Sequence, residues 1–437
     1  MTLSPLDSSL WQGLYGSAAA QDHLDDAALI RAMVTVEIAL ARACDASGIT
    51  PEGSGEEIAK ALAGVTIAPA VLAEGAVRDG VPIPALLAAL RAKLDPSLAE
   101  ALHWGATSQD IIDTATVLCL GRYADHMLSV TDAVIENIAT LAEAEAETPH
   151  LARTRTQAAA PTTFGATVAI WGAGLAESRA DIAIAAKGIA TVSLYGAAGT
   201  GAALGTEENI VRAVLADELG LEAEHMPWHT RRTRISRFAA AVAAHAAQCG
   251  RIGADLAQLA ASGTAEIRLS GGGSSAMPHK VNPVRAEAAQ SLARLATHLQ
   301  AAVSEAAIHP TQRDGAAWGL EWLALRSVCG AAMAALDNIA LLIRDLTPDR
   351  DAMARNLAEA GPGVISEQLI YLLARQMPRS DARHLVTAAL KSDDPIPALA
   401  ADYPDIDWAK VTDMCAASGN APKHARSFAA KHKRGMS

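Results

Sequence analysis

Apolar residues recur at spacings of three and four along most of this chain, and the pattern lengthens toward its middle. Residues 26–48, DAALIRAMVTVEIALARACDASG, show it clearly. The run stops at Gly48 with Pro51 close behind, which is how a helix ends. Shorter helical stretches follow to about residue 102. Five long ones are then predicted, at 109–147, 164–190, 235–262, 283–306 and 317–345. Helices of that length match a bundle rather than a compact globule. LTPDRDAMARNLAEAGPG breaks the run, and residues 346–437 carry shorter helical segments with more proline. The expectation is an all-α chain in three domains, 1–108, 109–345 and 346–437. Alanine and leucine on several faces of such helices bury poorly in one copy, so homo-oligomerisation through helix faces is expected.

Composition supports the helical reading. Hydrophobic residues make up 51% of the 437 and aromatics 3%, so the core is built from Ala, Leu, Val and Ile, which suits closely packed helices. The longest uncharged stretch, Gln157 to Ala176, holds Pro161, Thr162, Thr163, Gly165, Gly172 and Gly174. It is a poor membrane span and is read as a buried helix. A net charge of −12 argues against a nucleic-acid partner, which needs a basic face. Small anions remain suitable if positive charge is local. Cys44, Cys119, Cys249, Cys329 and Cys415 show neither a CxxC pair nor a Cys/His ligand spacing, as expected of a reduced, metal-free, cytoplasmic protein. The opening MTLSPLDSSLWQGLYG has no basic segment followed by an apolar run, so no secretory signal is predicted. The basic end KHARSFAAKHKRGMS reads as a frayed terminus.

One stretch departs from the helical pattern: SGGGSSAMPHKVNPVRAE, residues 270–287. Gly271, Gly272 and Gly273 make a hinge, and Ser274, Ser275, Lys280 and Asn282 follow it. Pro283 is well placed to begin a helix. A loop that carries hydroxyl, cation and amide can serve as a lid over a site; a plain connection between helices is the alternative. A phosphate-binding loop is disfavoured, because Lys280 is followed by Val281 and no strand precedes it.

Other segments add candidates. In HWGATSQDIIDTA, Thr107 and Asp110 have capping-box spacing, so the segment starts a helix. Its free N–H groups, with the Thr107 and Ser108 hydroxyls, also form an anion site. His103 is a ligand or a packed histidine. In ARTRTQAAAPTTFG, Arg153 and Arg155 would share a face in an extended lead-in, Gln157 follows, and Pro161 marks a bend or a helix start. PWHTRRTRIS sets Arg231, Arg232 and Arg234 beside Trp228 and His229, and HPTQRDGAAWGLEW carries Arg313, Trp318, Glu321 and Trp322. Several basic segments in an acidic chain point to a local anion pocket.

Together these segments resemble the fumarase/aspartase superfamily. GSSAMPHKVNP is similar to its signature loop, and HWGATSQD and RTRTQAAAPTTFG resemble two further regions in the form of the adenylosuccinate lyase branch. Within that branch LYGSAAAQ, HWGATSQDIIDTA, PWHTRRTR and QRDGAAWGLEW are most similar to the bacterial 3-carboxy-cis,cis-muconate cycloisomerases. The resemblance implies a three-domain helical subunit, a homotetramer around a twenty-helix core, active sites built from several subunits, and no cofactor or metal. It also implies that Ser274 is the catalytic serine and that Lys280 and Asn282 bind a substrate carboxylate. By the same resemblance His103, Thr107, Ser108, Gln157 and Arg313 line the substrate.

Two departures from the branch matter. Its lyases have histidine in RTHGQ where this chain has Arg155, and Thr233 stands where an aspartate is common. Eliminating an amine or a purine nitrogen needs a general acid for a poor leaving group. A lactone's leaving group is a carboxylate, whose conjugate acid has a pKa of about 4, and needs none. Arginine cannot act as that acid, but it can hold a carboxylate by two parallel hydrogen bonds. The expectation is therefore a lactonising cycloisomerase of aromatic degradation acting on a small anionic polycarboxylate, with Ser274 moving the proton and Lys280, Asn282 and Arg155 meeting the anions. An adenylosuccinate-type lyase and a catalytically silent helical oligomer are the alternatives.

Overall fold

The computed structural model describes residues 4–273, 277, 279–392 and 394–433; Ser274, Ser275, Ala276 and Pro278 lie outside them. The fold is all-α. Six helices open the chain: α1 (Ala18–Leu24), α2 (Asp26–Ala46), α3 (Ser54–Leu62), α4 (Pro69–Asp79), α5 (Ile83–Arg91) and α6 (Pro96–Ala101). The long ones are α7 (Ser108–Ala144), α8 (Phe164–Ile189), α10 (Thr233–Leu259), α11 (Val284–Glu305) and α12 (Gly315–Asp345), with the shorter α9 (Glu208–Leu219) among them. Seven short helices follow: α13 (Arg350–Glu359), α14 (Ser366–Leu373), α15 (Arg379–Ala389), α16 (Pro395–Asp402), α17 (Trp408–Thr412), α18 (Met414–Ala417) and α19 (Ala421–His432). Two antiparallel strand pairs accompany the helices: β1 (Pro149–Thr154) with β2 (Gln157–Thr163), and β3 (Ile267–Arg268) with β4 (Thr347–Pro348).

By internal packing the chain divides into two compact units. The first takes residues up to Val130, Ser178–Gly250 and Ser291–Asp337; the second takes Thr131–Glu177, Arg251–Gln290 and Asn338 onward.

In the first unit, α2 shows why its sequence is helical. The Asp25 carboxylate accepts from Ala28 N at 2.6 Å and caps the start, while Gly48 takes φ +71° and ends the run. Its apolar stripe, including Ile30, Met33, Leu40 and Cys44, is buried, and it packs against α3, α4 and α9. A fully buried Leu40 contributes roughly 1.5–3 kcal/mol relative to exposure. Ala331 to Leu336 of α12 are buried without a break, so that stretch is enclosed on all sides. The helix is apolar enough to cross a membrane by composition, yet 67% of its most apolar window is buried within the protein, as in a core helix. Tyr123 donates to the Cys329 carbonyl at 2.9 Å and meets Phe238 edge-on, tying α7, α10 and α12 together.

The second unit corrects the reading of Gln157–Ala176 as one helix. Residues 157–163 form β2, and α8 begins at Phe164. Pro161 is neither bend nor helix start; it lies within β2 opposite Leu151. A two-stranded sheet is all edge, so a residue without an N–H is accommodated there. Arg153 and Arg155 do not share a face either. A register irregularity falls between Ala152 and Arg153, and Arg155 and Thr156 form the two-residue turn with φ of +52° and +68°. Positive φ at both positions is the mark of the hairpin turn that matches strand twist, here without glycine. Leu151, Leu357, Ile365, Leu369 and Val386 lie in this unit's apolar cluster. Gly172 leaves room for Phe428: a Cβ there would lie 2.1 Å from the ring.

Glu266 organises the same unit. His150 Nε2 at 2.9 Å, both terminal nitrogens of Arg153 at 2.9 and 2.8 Å, and Asn356 at 2.8 Å meet its fully buried carboxylate. Burial alone would raise its pKa, but the donors from His150, Arg153 and Asn356 outweigh that and bring it from 4.5 to about 2. A depressed carboxylate contributes stability above its unfolded pKa and loses it as pH falls through the folded one. Glu266 therefore adds up to about 3 kcal/mol near neutrality that disappears between pH 4.5 and about 2. Urea unfolding at stepped pH is expected to show a steeper acid loss for the wild type than for Glu266→Gln; equal slopes would refute this account.

Candidate active site

α7 begins where the sequence places its cap. The Asp110 carboxylate accepts from Thr107 N at 3.0 Å, half of a capping box. The other half is replaced: Thr107 Oγ1 accepts from Arg313 Nη1 at 3.1 Å, and the same guanidinium donates to the Ala197 carbonyl. Thr107, Ser108 and Arg313 are all partly exposed. The structure thus brings Arg313 from far along the chain to the positive end of a 37-residue helix, an arrangement suited to an anion.

Asp110 does more than cap. Its Oδ1 accepts from Ser193 Oγ at 2.9 Å, Tyr195 N at 3.1 Å and His229 Nε2 at 2.7 Å, and its Oδ2 from Gly196 N at 3.0 Å. One turn on, Asp113 and Glu321 close on Arg232 from both sides. Arg232 donates to Asp113 at 2.6 and 3.1 Å and to Glu321 Oε2 at 2.8 Å, with a further bond to Glu321 Oε1. It also lies 5.0 Å from the centre of the Trp228 ring, and Trp318 donates to Asp113 at 3.3 Å. Burial opposes its charge, but Asp113 and Glu321 prevail and raise its pKa. Arg231 and Arg234 both pair with Glu224. The expectation that this basic segment helps to form an anion pocket is therefore corrected. Its arginines are neutralised internally, and Trp228 and His229 are buried.

His103 is neither free nor simply packed. Its Nδ1 lies 2.7 Å from Glu37 Oε1 on α2. Glu37 stands on the buried stripe of that helix, where periodicity alone would place an apolar residue. A charge at such a position was the signal available in the sequence. Asp113 and Glu321 carried no such local signal, since their partner Arg232 is distant in the chain.

The remaining candidates belong to the second unit. Arg155 and Gln157 are exposed at the turn of the β1–β2 hairpin; Lys280 is exposed and Asn282 half-buried on the glycine-rich loop. The side chains of these four have no hydrogen-bond or ion-pair partner among the described residues. The loop is pinched at its base rather than a free hinge. Asn282 N donates to the Gly272 carbonyl at 2.7 Å, and Gly273 bridges Val281. Gly272 has φ +84°, and a Cβ there would lie 1.9 Å from the Asn282 carbonyl oxygen. Ser274, expected as the catalytic residue, lies outside the described residues. Among the described residues no group of three or more His, Cys, Asp or Glu is arranged to hold a metal.

Comparison with known proteins shows the family of the chain. Residues 15–297 match the family described as lyase. A 3-carboxy-cis,cis-muconate cycloisomerase of Bradyrhizobium diazoefficiens is 37% identical over 88% of this chain and 87% of its own length. A nitrosuccinate lyase of Streptomyces davaonensis is 34% identical over 88% of this chain and 84% of its own. Among solved structures, the 3-carboxy-cis,cis-muconate lactonizing enzyme of Pseudomonas putida superposes with a TM-score of 0.90 at 26% identity, covering 98% of this chain and 99% of that one. The chain is therefore an enzyme of the lyase family within the fumarase/aspartase superfamily.

Proposed function

We propose that the enzyme is a lactonising cycloisomerase acting on 3-carboxy-cis,cis-muconate. The observation that carries this reading is Arg155. It is exposed at the hairpin turn with no partner among the described residues, at the position where lyases of the adenylosuccinate branch have a histidine. A fixed cation there suits a tri-anionic substrate and cannot supply the proton that an amine leaving group requires.

In the reaction, one carboxylate oxygen of the substrate adds to the carbon bearing the extra carboxyl, forming the ring C–O bond. The electrons of the C=C bond move onto a second carboxylate as an aci-carboxylate, and a proton then arrives at the adjacent carbon, so the product is an isomer of the substrate. Ser274 donates that proton, and Lys280, Asn282 and the α7 N-terminus at Thr107 and Ser108 stabilise the developing charge. Arg313, Gln157 and His103 hold the other anionic groups. The active form is a homotetramer in which several copies supply these segments to each site, and it works without cofactor or metal.

Nitrosuccinate lyase and the N-acetyl-S-(2-succino)cysteine lyase of Enterococcus italicus, 31% identical, name the competing reaction class. Both names point to elimination from a substituted succinate. Incubation of the purified enzyme with 3-carboxy-cis,cis-muconate is expected to consume the conjugated diene, followed by its ultraviolet absorbance. Cleavage of adenylosuccinate, nitrosuccinate or N-acetyl-S-(2-succino)cysteine with no loss of diene would overturn the proposal in favour of a lyase.

A further inference from the structure

We propose that Glu37 is a positioning residue that fixes the His103 ring through Nδ1–H, so that Nε2–H is presented as a donor to an anionic group of the substrate. The proposal deepens the reading of His103 as a substrate ligand and rests on it.

Three observations carry it. First, the Nδ1 to Glu37 Oε1 distance is 2.7 Å, and the carboxylate is completely buried while the His103 side chain keeps 14% of its exposure. A carboxylate only accepts, so Nδ1 is the protonated nitrogen facing it. His103 Nε2 has no partner among the described residues. Second, His103 sits in the left-handed region at φ +69°, unusual for a residue with a side chain. Such strain of about 1–3 kcal/mol persists where surroundings over-determine it, and it clusters at functional sites. Third, Glu37 Oε2 is buried with no hydrogen-bond partner. An unmet buried acceptor costs about 1–3 kcal/mol, and an apolar residue on this face of α2 would avoid that cost. The arrangement is therefore poor for stability and good for aiming one ring.

Protonation decides what the ring can do. With Nδ1–H held by Glu37, a neutral imidazole turns a lone pair outward at Nε2, which repels a carboxylate, whereas an imidazolium turns out a charged N–H. Burial lowers the pKa of His103, but the charge and hydrogen bond of Glu37 on α2 outweigh it, with help from Asp110 on α7 and against Arg91 on α5, and the net shift is upward. The Cys44 thiol also stands at this turn: it meets the Trp104 carbonyl at 3.9 Å and is pushed up to about 12 by burial and Glu37. The cationic donor therefore persists to higher pH than an ordinary histidine allows, and it stands four residues ahead of Thr107 and its partner Arg313.

The test reads His103 without any substrate. Diethyl pyrocarbonate modifies only unprotonated imidazole, and trypsin releases His103 in the peptide Leu94–Arg122, which holds no other histidine. In the wild type the rate at His103 is expected to reach half its maximum above pH 6.5, the ordinary histidine value. In Glu37→Gln, which keeps the shape and removes the charge, the midpoint should fall, so that the rate at pH 7 rises. The pH at which KM begins to rise should move down with it while kcat at low pH holds. A wild-type midpoint at or below 6.5, an unmoved midpoint in a folded Glu37→Gln, or a His103 that the reagent never reaches would each overturn the proposal. Because the modification needs no turnover, it stands apart from failure of the 3-carboxy-cis,cis-muconate assay.

Discussion

Arg232→Leu is expected to cost about 3–5 kcal/mol of stability, the range for removing one partner from a buried ion pair. Arg232 is fully enclosed, and its guanidinium is the counter-charge of both Asp113 and Glu321, which are themselves buried. The substitution leaves two carboxylates in a low-dielectric interior, where among the described residues only Gln109, at 3.1 Å, and Trp318 still donate to Asp113. They must then ionise without compensation or take up protons, and either route is unfavourable at neutral pH. Urea unfolding at fixed protein concentration measures the loss. Replacing all three residues by Leu or Met of similar volume should recover much of it, because the desolvation cost disappears with the charges. A loss below 1 kcal/mol in the single variant would mean that water reaches this network.

Ser274→Ala is expected to lower kcat by about 10²–10⁴ with KM changed by less than threefold. Positioned proton transfer contributes in that range, and a hydroxyl that acts only as the proton migrates adds little to ground-state binding. Loss of the binding charge at Arg313 should instead appear in KM, whereas loss of Lys280, which meets the developing charge, should lower kcat as well. Steady-state assays of the diene loss separate the cases. A Ser274→Ala enzyme within threefold of the wild-type kcat would remove serine from the chemistry and direct attention to a water-borne proton.

The long helices were legible because each depends on a repeat that any window of the sequence contains. α2, α7, α10, α11 and α12 begin and end within a few residues of the positions that periodicity, caps and glycines indicate. β2 was not legible: Gln157 to Thr163 are uncharged and run straight into a true helix, so composition extended the helix backward over them. Only pairing with β1 fixed the strand, and strand pairing is not local information. The candidate site divides in the same way. The Thr107–Asp110 cap could be read from spacing, and the glycine-rich loop from its contrast with its surroundings.

What the sequence determined by itself is therefore the all-α class, the helix N-terminus at Thr107 and the set of residue types available for anions. Tertiary structure alone decided which of the arginines remain for a ligand. Arg153, Arg231, Arg232 and Arg234 are each matched to a carboxylate, while Arg155 is not. It also set His103 against Glu37, 66 positions away. The reason is physical: a charge's role depends on which opposite charge shares its low-dielectric surroundings, and the chain settles that only by folding.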